Sequence, residues 1–533
     1  HKTINMAKPE DIARMNPWWN LGKDFAGSDR DLLMLRSGVF KFQRHVPKFE
    51  PGSIYIIKGP RRVGKTMFLK NLILDLLKAR VDKRSIFYYS LDGIKSPTEL
   101  RNMLDDFLGY ISFGTKYVML DEVQSIEGWE KTIQALANEG MLKNVVTIVT
   151  GSLAHVLRQE LMPGRGTEGN TYIMHTLSFG DFCKSLISVF ANLDYAGSNP
   201  NIKGEISHMS DLLKQEATWL FAALGDDVKV YANELTQALE SRISLEESTE
   251  DIYAKAYALV PYAGLLKKLF SIYMRTGGYP KSINSYFQGL PSKSAFSIGQ
   301  EVYEELYLYA KSDAATLSGA GKAGNMAFAE GVLRSTLGHI GSNISHNKLA
   351  ANVSMNSKTF NEYLRRLGES YVFIALNGLD NKLNPMRMQK TYFGDPLLHY
   401  SVGSNIAGEE PNKYTEAVIN SENIGIIAEE IIAQHLLQTK ENEPMRTYNT
   451  YLHFLKGNGN KEIDFVYKKD DGNYLGIEVK YQNSVSAKND IYTVKGIDEY
   501  IIVSKDTLEK GKSAIAVPIY LLLALLEKSD KDL

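Results

Sequence analysis

Cysteine is almost missing from this chain: Cys183 is the only one among 533 residues. A single thiol cannot close an internal disulfide, and zinc sites built on several thiolates are excluded with it. An excess of one charge is missing too. The 61 Lys and Arg stand against 62 Asp and Glu, a net charge of -1. Overall attraction to nucleic acid is therefore ruled out, and any such binding has to come from local patches. No apolar run is long enough for a membrane span, which needs roughly 18–20 residues. The longest, Ala514 to Leu526, is interrupted by Pro518 and reads as a buried strand followed by a helix. The stretch His1 to Arg14 is polar and lacks the apolar core of a signal peptide. A cytoplasmic protein with no membrane partner is the expectation. The 42 Gly and 16 Pro follow no fixed period, which excludes a collagen-like chain.

What is present suits a folded protein. Apolar residues make up 44% and charged residues 23%, enough to offset chain entropy by burial and to exclude disorder as the main state. At roughly 150 residues per domain, the length implies three or four domains.

The rhythm of the sequence divides it. From Ser53 to Phe179, short runs rich in β-branched and aromatic residues alternate with amphipathic segments such as TMFLKNLILDLLKA. The runs SIYIIKG, SIFYYSLDG, KYVMLDE, NVVTIVTGS and NTYIMHTLSF are apolar on both faces, as parallel strands covered by helices are. A doubly wound α/β domain is predicted. Residues 181–325 read as almost wholly helical, with a small-residue linker from Ser312 to Asn325, and residues 326–380 as helix, helix, turn, helix, strand. The remainder returns to mixed helix and strand. The expected division is an N-terminal arm (1–50), the doubly wound α/β core (51–180), a helical lid with insert and linker (181–325), a winged helix (326–380) and a last α/β domain (381–533).

GPRRVGKT, Gly59 to Thr66, fits G-x-x-x-x-G-K-[ST] between an apolar strand and an amphipathic helix. Backbone N–H groups of such a loop wrap phosphates, and the helix N-terminus adds to their field. The residues expected to hold ATP or ADP are Gly59, Pro60, Arg61, Arg62, Val63, Gly64, Lys65, Thr66 and Met67. Lys65 is placed to reach the β- and γ-phosphates, and the Thr66 hydroxyl to ligate Mg²⁺. YVMLDE, Tyr117 to Glu122, ends a strand in two carboxylates at the sheet edge where ligands bind. Asp121 is the expected Mg²⁺ partner through water, and Glu122 the group that polarises the attacking water.

The acidic pair resembles that of the AAA+ class of ATPases. The resemblance implies a polar sensor at the end of the next strand, Thr150 or Ser152 in TGS. It also implies an arginine finger that completes a neighbouring subunit's site, for which Arg165 in MPGRG is the candidate and which would make the protein a homo-oligomer. A solvated loop role for Arg165 stands beside that one. More specifically, the chain is similar to archaeal and bacterial ATPases that join an AAA+ module to a C-terminal restriction-endonuclease-like domain of unknown function. NPWW (Asn16 to Trp19), GPRRVGKT, LDEVQ, TGS, MPGR, TGGYP (Thr276 to Pro280), YFGDP (Tyr392 to Pro396) and the terminal EIDF…IEVK carry the similarity. A helical insert at about 188–261 departs from it, as does Met162. Trp18 and Trp19 are open to two readings, an adenine clamp or a hydrophobic anchor for the arm.

Residues Ile344 to Phe373 have a helix–turn–helix cadence, with Phe360, Tyr363, Leu364 and Leu367 on one face. Lys348, Lys358, Arg365 and Arg366 against Glu362 give segment 345–366 a local charge of +3, suited to a recognition helix in a DNA groove or to a spacer between proteins. Glu462 to Lys480 reads as a hairpin turning at Lys469 to Asn473. Period-2 alternation puts Glu478 and Lys480 on one face, and pairing can bring Asp464 beside them. Asp464, Glu478 and Lys480 match the D…(D/E)-x-K pattern of restriction-enzyme-like nucleases. That resemblance adds Glu429 from a preceding helix, with Glu430 one step round, and Gln482 after the lysine. It implies a second Mg²⁺ on Glu429, Asp464 and Glu478, with Lys480 assisting cleavage of DNA. The alternative is a nuclease-like fold that binds nucleic acid without cutting it.

Overall fold

The computed structural model describes residues 9–38, 40–42, 44–94, 96–109, 114–152, 170–191, 228–289, 297–316, 325–440, 448–459 and 461–533. They form two compact units, 1–175 with 530–533, and 176–529. This division differs from the five segments read from the sequence, and Arg165, residues 192–227 of the insert and most of the linker lie outside the described residues.

The first unit is built on a parallel sheet of five strands, β1 (Ile54–Lys58), β2 (Ile86–Ser90), β3 (Lys116–Asp121), β4 (Val145–Gly151) and β5 (Thr171–Ile173), in the order β2-β3-β4-β1-β5. All residues of β1 and β4 are buried, which is why both read as continuous apolar runs. The helices Lys65–Lys78, Pro97–Gly109 and Trp129–Asn138 supply the crossovers. Leu100, Met103, Leu104 and Phe107 recur at helical spacing and enter the core formed by Phe87, Val118, Leu120 and Trp129.

NPWW secures the arm to the edge strand β2. The side chain of Asn16 donates to Tyr88 O (2.9 Å) and accepts from Tyr88 N (2.7 Å), pairing with that strand as a neighbouring backbone would. Trp18 and Trp19 both donate to Ile86 O, at 3.1 and 2.7 Å. Ile86 begins β2, whereas the phosphate loop follows the end of β1. These tryptophans lie at the opposite edge of the parallel sheet from that loop, so the anchor reading holds and the adenine clamp does not. The last four residues extend the sheet beyond β5: Ile173 donates to Lys531 O (2.8 Å) and accepts from Leu533 N (2.9 Å).

The second unit carries a nine-stranded mixed sheet. Its strands are β6 (Asn343–Ile344), β7 (Phe373–Leu379), β8 (Pro385–Phe393), β9 (Leu452–Lys456), β10 (Glu462–Lys468), β11 (Tyr474–Lys480), β12 (Glu499–Ser504), β13 (Glu509–Lys510) and β14 (Ala514–Pro518). Their order is β13-β14-β12-β11-β10-β9-β7-β8-β6. The helices Asn325–Leu337, His346–Asn352 and Ser357–Glu369 precede the β7–β8 hairpin. That hairpin is not a free wing, because β7 pairs with β9 (Gly378 with Phe454, Leu379 with Leu455). A boundary at 380 would cut between its two strands.

TGGYP and YFGDP meet, although 117 residues separate Gly278 from Asp395. Gly278 N donates to Asp395 Oδ2 at 2.9 Å, and a Cβ on Gly277 would lie 2.0 Å from Asp395 Oδ1. Only glycine permits that approach, so this pair of motifs is structural.

Candidate functional site

The phosphate loop folds as its glycines require. A Cβ on Gly59 would lie 2.1 Å from Met174 O, so the chain passes only without a side chain. Gly64 adopts φ +104° and opens the helix Lys65–Lys78 with no side-chain cap. Arg62 is also left-handed (φ 67°), Val63 is buried, and Arg44 from the arm donates to Val63 O at 3.3 Å. Lys65 Nζ donates to the loop carbonyls of Gly59 (2.9 Å) and Pro60 (2.8 Å). The ammonium is thus held within the cradle, where phosphate oxygens would replace those carbonyls as acceptors.

Asp121 joins four elements. It is buried at the end of β3 and accepts from Thr66 Oγ1 (2.6 Å), Tyr88 OH (3.1 Å), its neighbour Glu122 N (3.1 Å) and Thr150 Oγ1. Burial, then the adjacent Asp121 carboxylate, pushes the Tyr88 hydroxyl well above its ordinary range, keeping it a neutral donor. With its proton committed to Asp121, the Thr66 hydroxyl keeps its oxygen lone pairs for a cation. A hydroxyl and a carboxylate beside a phosphate loop are the hard oxygen donors that Mg²⁺ takes, so these residues fit that ion.

Glu122 stands in the left-handed region (φ 53°), a strained setting for a non-glycine residue that turns its side chain out of the strand line. Gln124 Nε2 donates to its carboxylate and also to Ser152 Oγ at 3.2 Å. Of the two sensor candidates, Thr150 is therefore bound to Asp121, whereas Ser152 is linked to Glu122 through Gln124. The sequence reading gave Gln124 no role. Its signal was its position two residues past the acid, in the turn that follows the strand.

The second constellation assembles on the expected hairpin, with one residue added. The turn lies at Lys469 to Asn473, with Lys469 N donating to Asn473 O at 2.8 Å. Phe465 pairs with Ile477, so the next step of the register sets Asp464 opposite Glu478. Lys480 Nζ lies 3.2 Å from Glu478 and also donates to Asp490 O. Glu430 faces elsewhere, 3.0 Å from His399 Nδ1, and Gln482 is exposed. The centre of the cluster is occupied by Lys390 of β8, which the sequence reading missed. Its Nζ is 2.7 Å from Glu462, 3.0 Å from Asp464 and 3.6 Å from Glu429. Burial, then Asp464, raises Glu429 to about 8, and burial raises Glu478. Among the described residues no group of three or more His, Cys, Asp or Glu side chains is arranged to hold a metal ion. Of the acids expected to hold a second Mg²⁺, Glu429 and Asp464 lie around the Lys390 ammonium, and Glu478 lies beside Lys480.

Residues 51–183 match the model of an AAA domain. This stretch is an AAA-type P-loop domain. Residues 267–406 and 424–522 match two models described as domains of unknown function. An uncharacterized protein of Methanocaldococcus jannaschii is 31% identical over 143 residues, 26% of this chain and 30% of that protein. One of Haemophilus influenzae is 28% identical over 137 residues, 24% and 32%. The matched stretch thus spans less than a third of either curated relative. Among solved structures, a RuvB variant of Thermotoga maritima (13% identity, TM-score 0.27) covers 69% of this chain and 89% of its own. Aeropyrum pernix Orc1 in complex with DNA (13%, TM-score 0.25) covers 67% and 87%. At those scores the superpositions carry no weight. No helix of the described residues is long and apolar enough to cross a membrane.

Proposed function

We propose that the chain binds and hydrolyses ATP, with Lys65 on the β- and γ-phosphates, Thr66 on the cation, Glu122 as the base for water and Ser152 as the sensor. The observation that carries this reading is the 2.6 Å hydrogen bond from Thr66 to Asp121, which joins the phosphate loop to the acidic strand end. Mg²⁺ bound with the nucleotide would neutralise phosphate charge as the γ-phosphoryl departs. Asp121 fixes the orientation of the Thr66 hydroxyl. Glu122, on its left-handed turn, presents a carboxylate to water. Arg165 is assigned to a neighbouring subunit's site, which makes the working form an oligomer.

DNA is the second partner in this reading, taken up on the helix Ser357–Glu369. Support comes from Lys358 and Arg365, both exposed on that helix. Their field is modest: Arg365 pairs with Glu369 (2.6 Å) and Glu362 (3.1 Å), and Arg366 with Glu362 (2.8 Å). Counting Glu369, segment 345–369 carries four basic and two acidic residues, a net +2. The ion pairs and Lys390 together favour a unit that binds without cutting, the chain acting as a nucleotide-controlled switch.

The test is ATP turnover of the full chain with and without duplex DNA at low and moderate salt. Hydrolysis that depends on Lys65 and rises with DNA, less so as salt increases, is the expected result. No hydrolysis would overturn the ATPase reading. Hydrolysis indifferent to DNA at both salts would remove DNA as the partner and leave a protein in its place.

A further inference from the structure

We propose that Lys390 is the resident cation of the acidic cluster in the second unit, and that its ammonium takes the place of a divalent metal, so that this unit binds no Mg²⁺ there and cuts no nucleic acid. The inference is independent of the ATP site.

The argument starts from the strand. In β8 the residues from Lys390 to Phe393 are all buried, and Lys390 is only 1% exposed. Side chains two apart share a face, so Lys390 points with Tyr392 toward the helix Ile424–Gln438 and β10. Tyr392 OH donates to Glu429 Oε2 at 2.9 Å, which fixes that carboxylate beside the ammonium. A buried ammonium is strongly disfavoured unless it is paired and hydrogen-bonded. Here it donates to Glu462 (2.7 Å) and Asp464 (3.0 Å).

Two of the acids, Asp464 and Glu462, are spoken for on both oxygens. Asp464 gives Oδ1 to Lys390 and Oδ2 to Val479 N (2.9 Å). Glu462 gives Oε1 to Lys390 and Oε2 to Asn343 Nδ2 (3.0 Å). A divalent cation needs several carboxylate oxygens turned toward it with free lone pairs. It would also have to settle within a few ångströms of a fixed positive charge, against repulsion little screened at a buried site. Without Lys390, the remaining acids would repel one another and recruit such an ion, which is the situation the D…E-x-K spacing suggests when the lysine is overlooked.

The experiment titrates Mn²⁺ alone into the nucleotide-free full chain, with bound metal read by its electron paramagnetic resonance and stability by Tm. Wild type and Asp464→Asn should take up the same amount of Mn²⁺, since the cluster holds none. Lys390→Met, which keeps the length of the side chain and removes its charge, should add one site, tighter by roughly tenfold or more than any in the wild type. Mn²⁺ should raise the Tm of this variant and not that of the wild type. The added site should vanish in Lys390→Met with Asp464→Asn. Mn²⁺ taken up by the wild type and lost in Asp464→Asn would overturn the proposal, as would a folded Lys390→Met that gains no site. If Lys390→Met does not fold, the comparison of wild type with Asp464→Asn decides alone: equal uptake supports the proposal and lost uptake overturns it.

Discussion

The side-chain amide of Gln124 donates to the carboxylate of Glu122. Through the same nitrogen it reaches Ser152 Oγ, and its carbonyl accepts from Ser152 N at 3.4 Å. One neutral side chain therefore holds the proposed base and the proposed sensor in register. It does so across the ends of β3 and β4, which the Thr150 hydroxyl on Asp121 also joins.

Removing that amide should unfix both ends. Gln124→Ala is expected to lower kcat by roughly 10–100-fold, within the range for misplaced catalytic groups. KM for ATP should stay nearly unchanged, because neither end touches the phosphate loop. Steady-state kinetics check this, and a KM that rises in step with the fall in kcat would assign Gln124 to nucleotide binding instead.

Binding and turnover should separate at the loop and the acid pair. Lys65→Ala removes the point charge on the phosphates and should abolish both. Glu122→Gln should keep ATP affinity and lose turnover, since only the activation of water is removed. Thr66→Val would leave an acceptor of buried Asp121 unmet, at a cost of about 1–3 kcal/mol in stability. Nucleotide affinity by calorimetry, beside phosphate release, distinguishes the three. Normal hydrolysis by Glu122→Gln would mean that the acid pair has been misassigned.

The phosphate loop was legible because its signals are local. A strand apolar on both faces, a glycine loop and a helix follow one another within 25 residues of sequence, from Ile54 to Lys78. The second unit hid what matters most. A lysine in a strand reads as solvated, and only the nonlocal approach of Glu429, Glu462 and Asp464, 39 to 74 residues further on, makes Lys390 a buried ion. The +3 read for segment 345–366 stopped three residues short of Glu369, which sits one helical turn past Arg365 and pairs with it. The contact of TGGYP with YFGDP was equally invisible, for glycines signal permissive backbone without saying what approaches them.

Arg165 is expected to act in trans. Arg165→Ala should slow hydrolysis by roughly 10³-fold or more with little change in nucleotide affinity, as for other arginine fingers. Mixed with Lys65→Ala subunits, it should recover activity at interfaces that pair an intact loop with an intact arginine. The measurement is turnover of the mixture against each variant alone. A fully active monomer at assay concentration would end the idea.

A last prediction concerns pH and the buried carboxyl that joins the two glycine-bearing motifs. Asp395 is completely buried, and burial raises it to about 7 against the pull of hydrogen bonds from Gly278 N and Leu397 N. Around it stand Gln434 Nε2 at 3.4 Å, the Thr176 hydroxyl and the Glu430 carboxylate. Since the folded value lies above the unfolded one, near 4, the folded state binds the extra proton between them. The stabilisation is thus complete below about pH 4 and lost as pH rises toward 7, with a limiting slope of about 1.4 kcal/mol per pH unit for one proton. Asp395→Asn keeps an acceptor for Gly278 N and cannot ionise. Its stability should therefore fall less than that of the wild type from pH 5 to 7, so that the gap between them narrows or reverses on the alkaline side. Urea unfolding at a series of pH values measures both curves. Parallel curves would show that Asp395 does not change its protonation on folding.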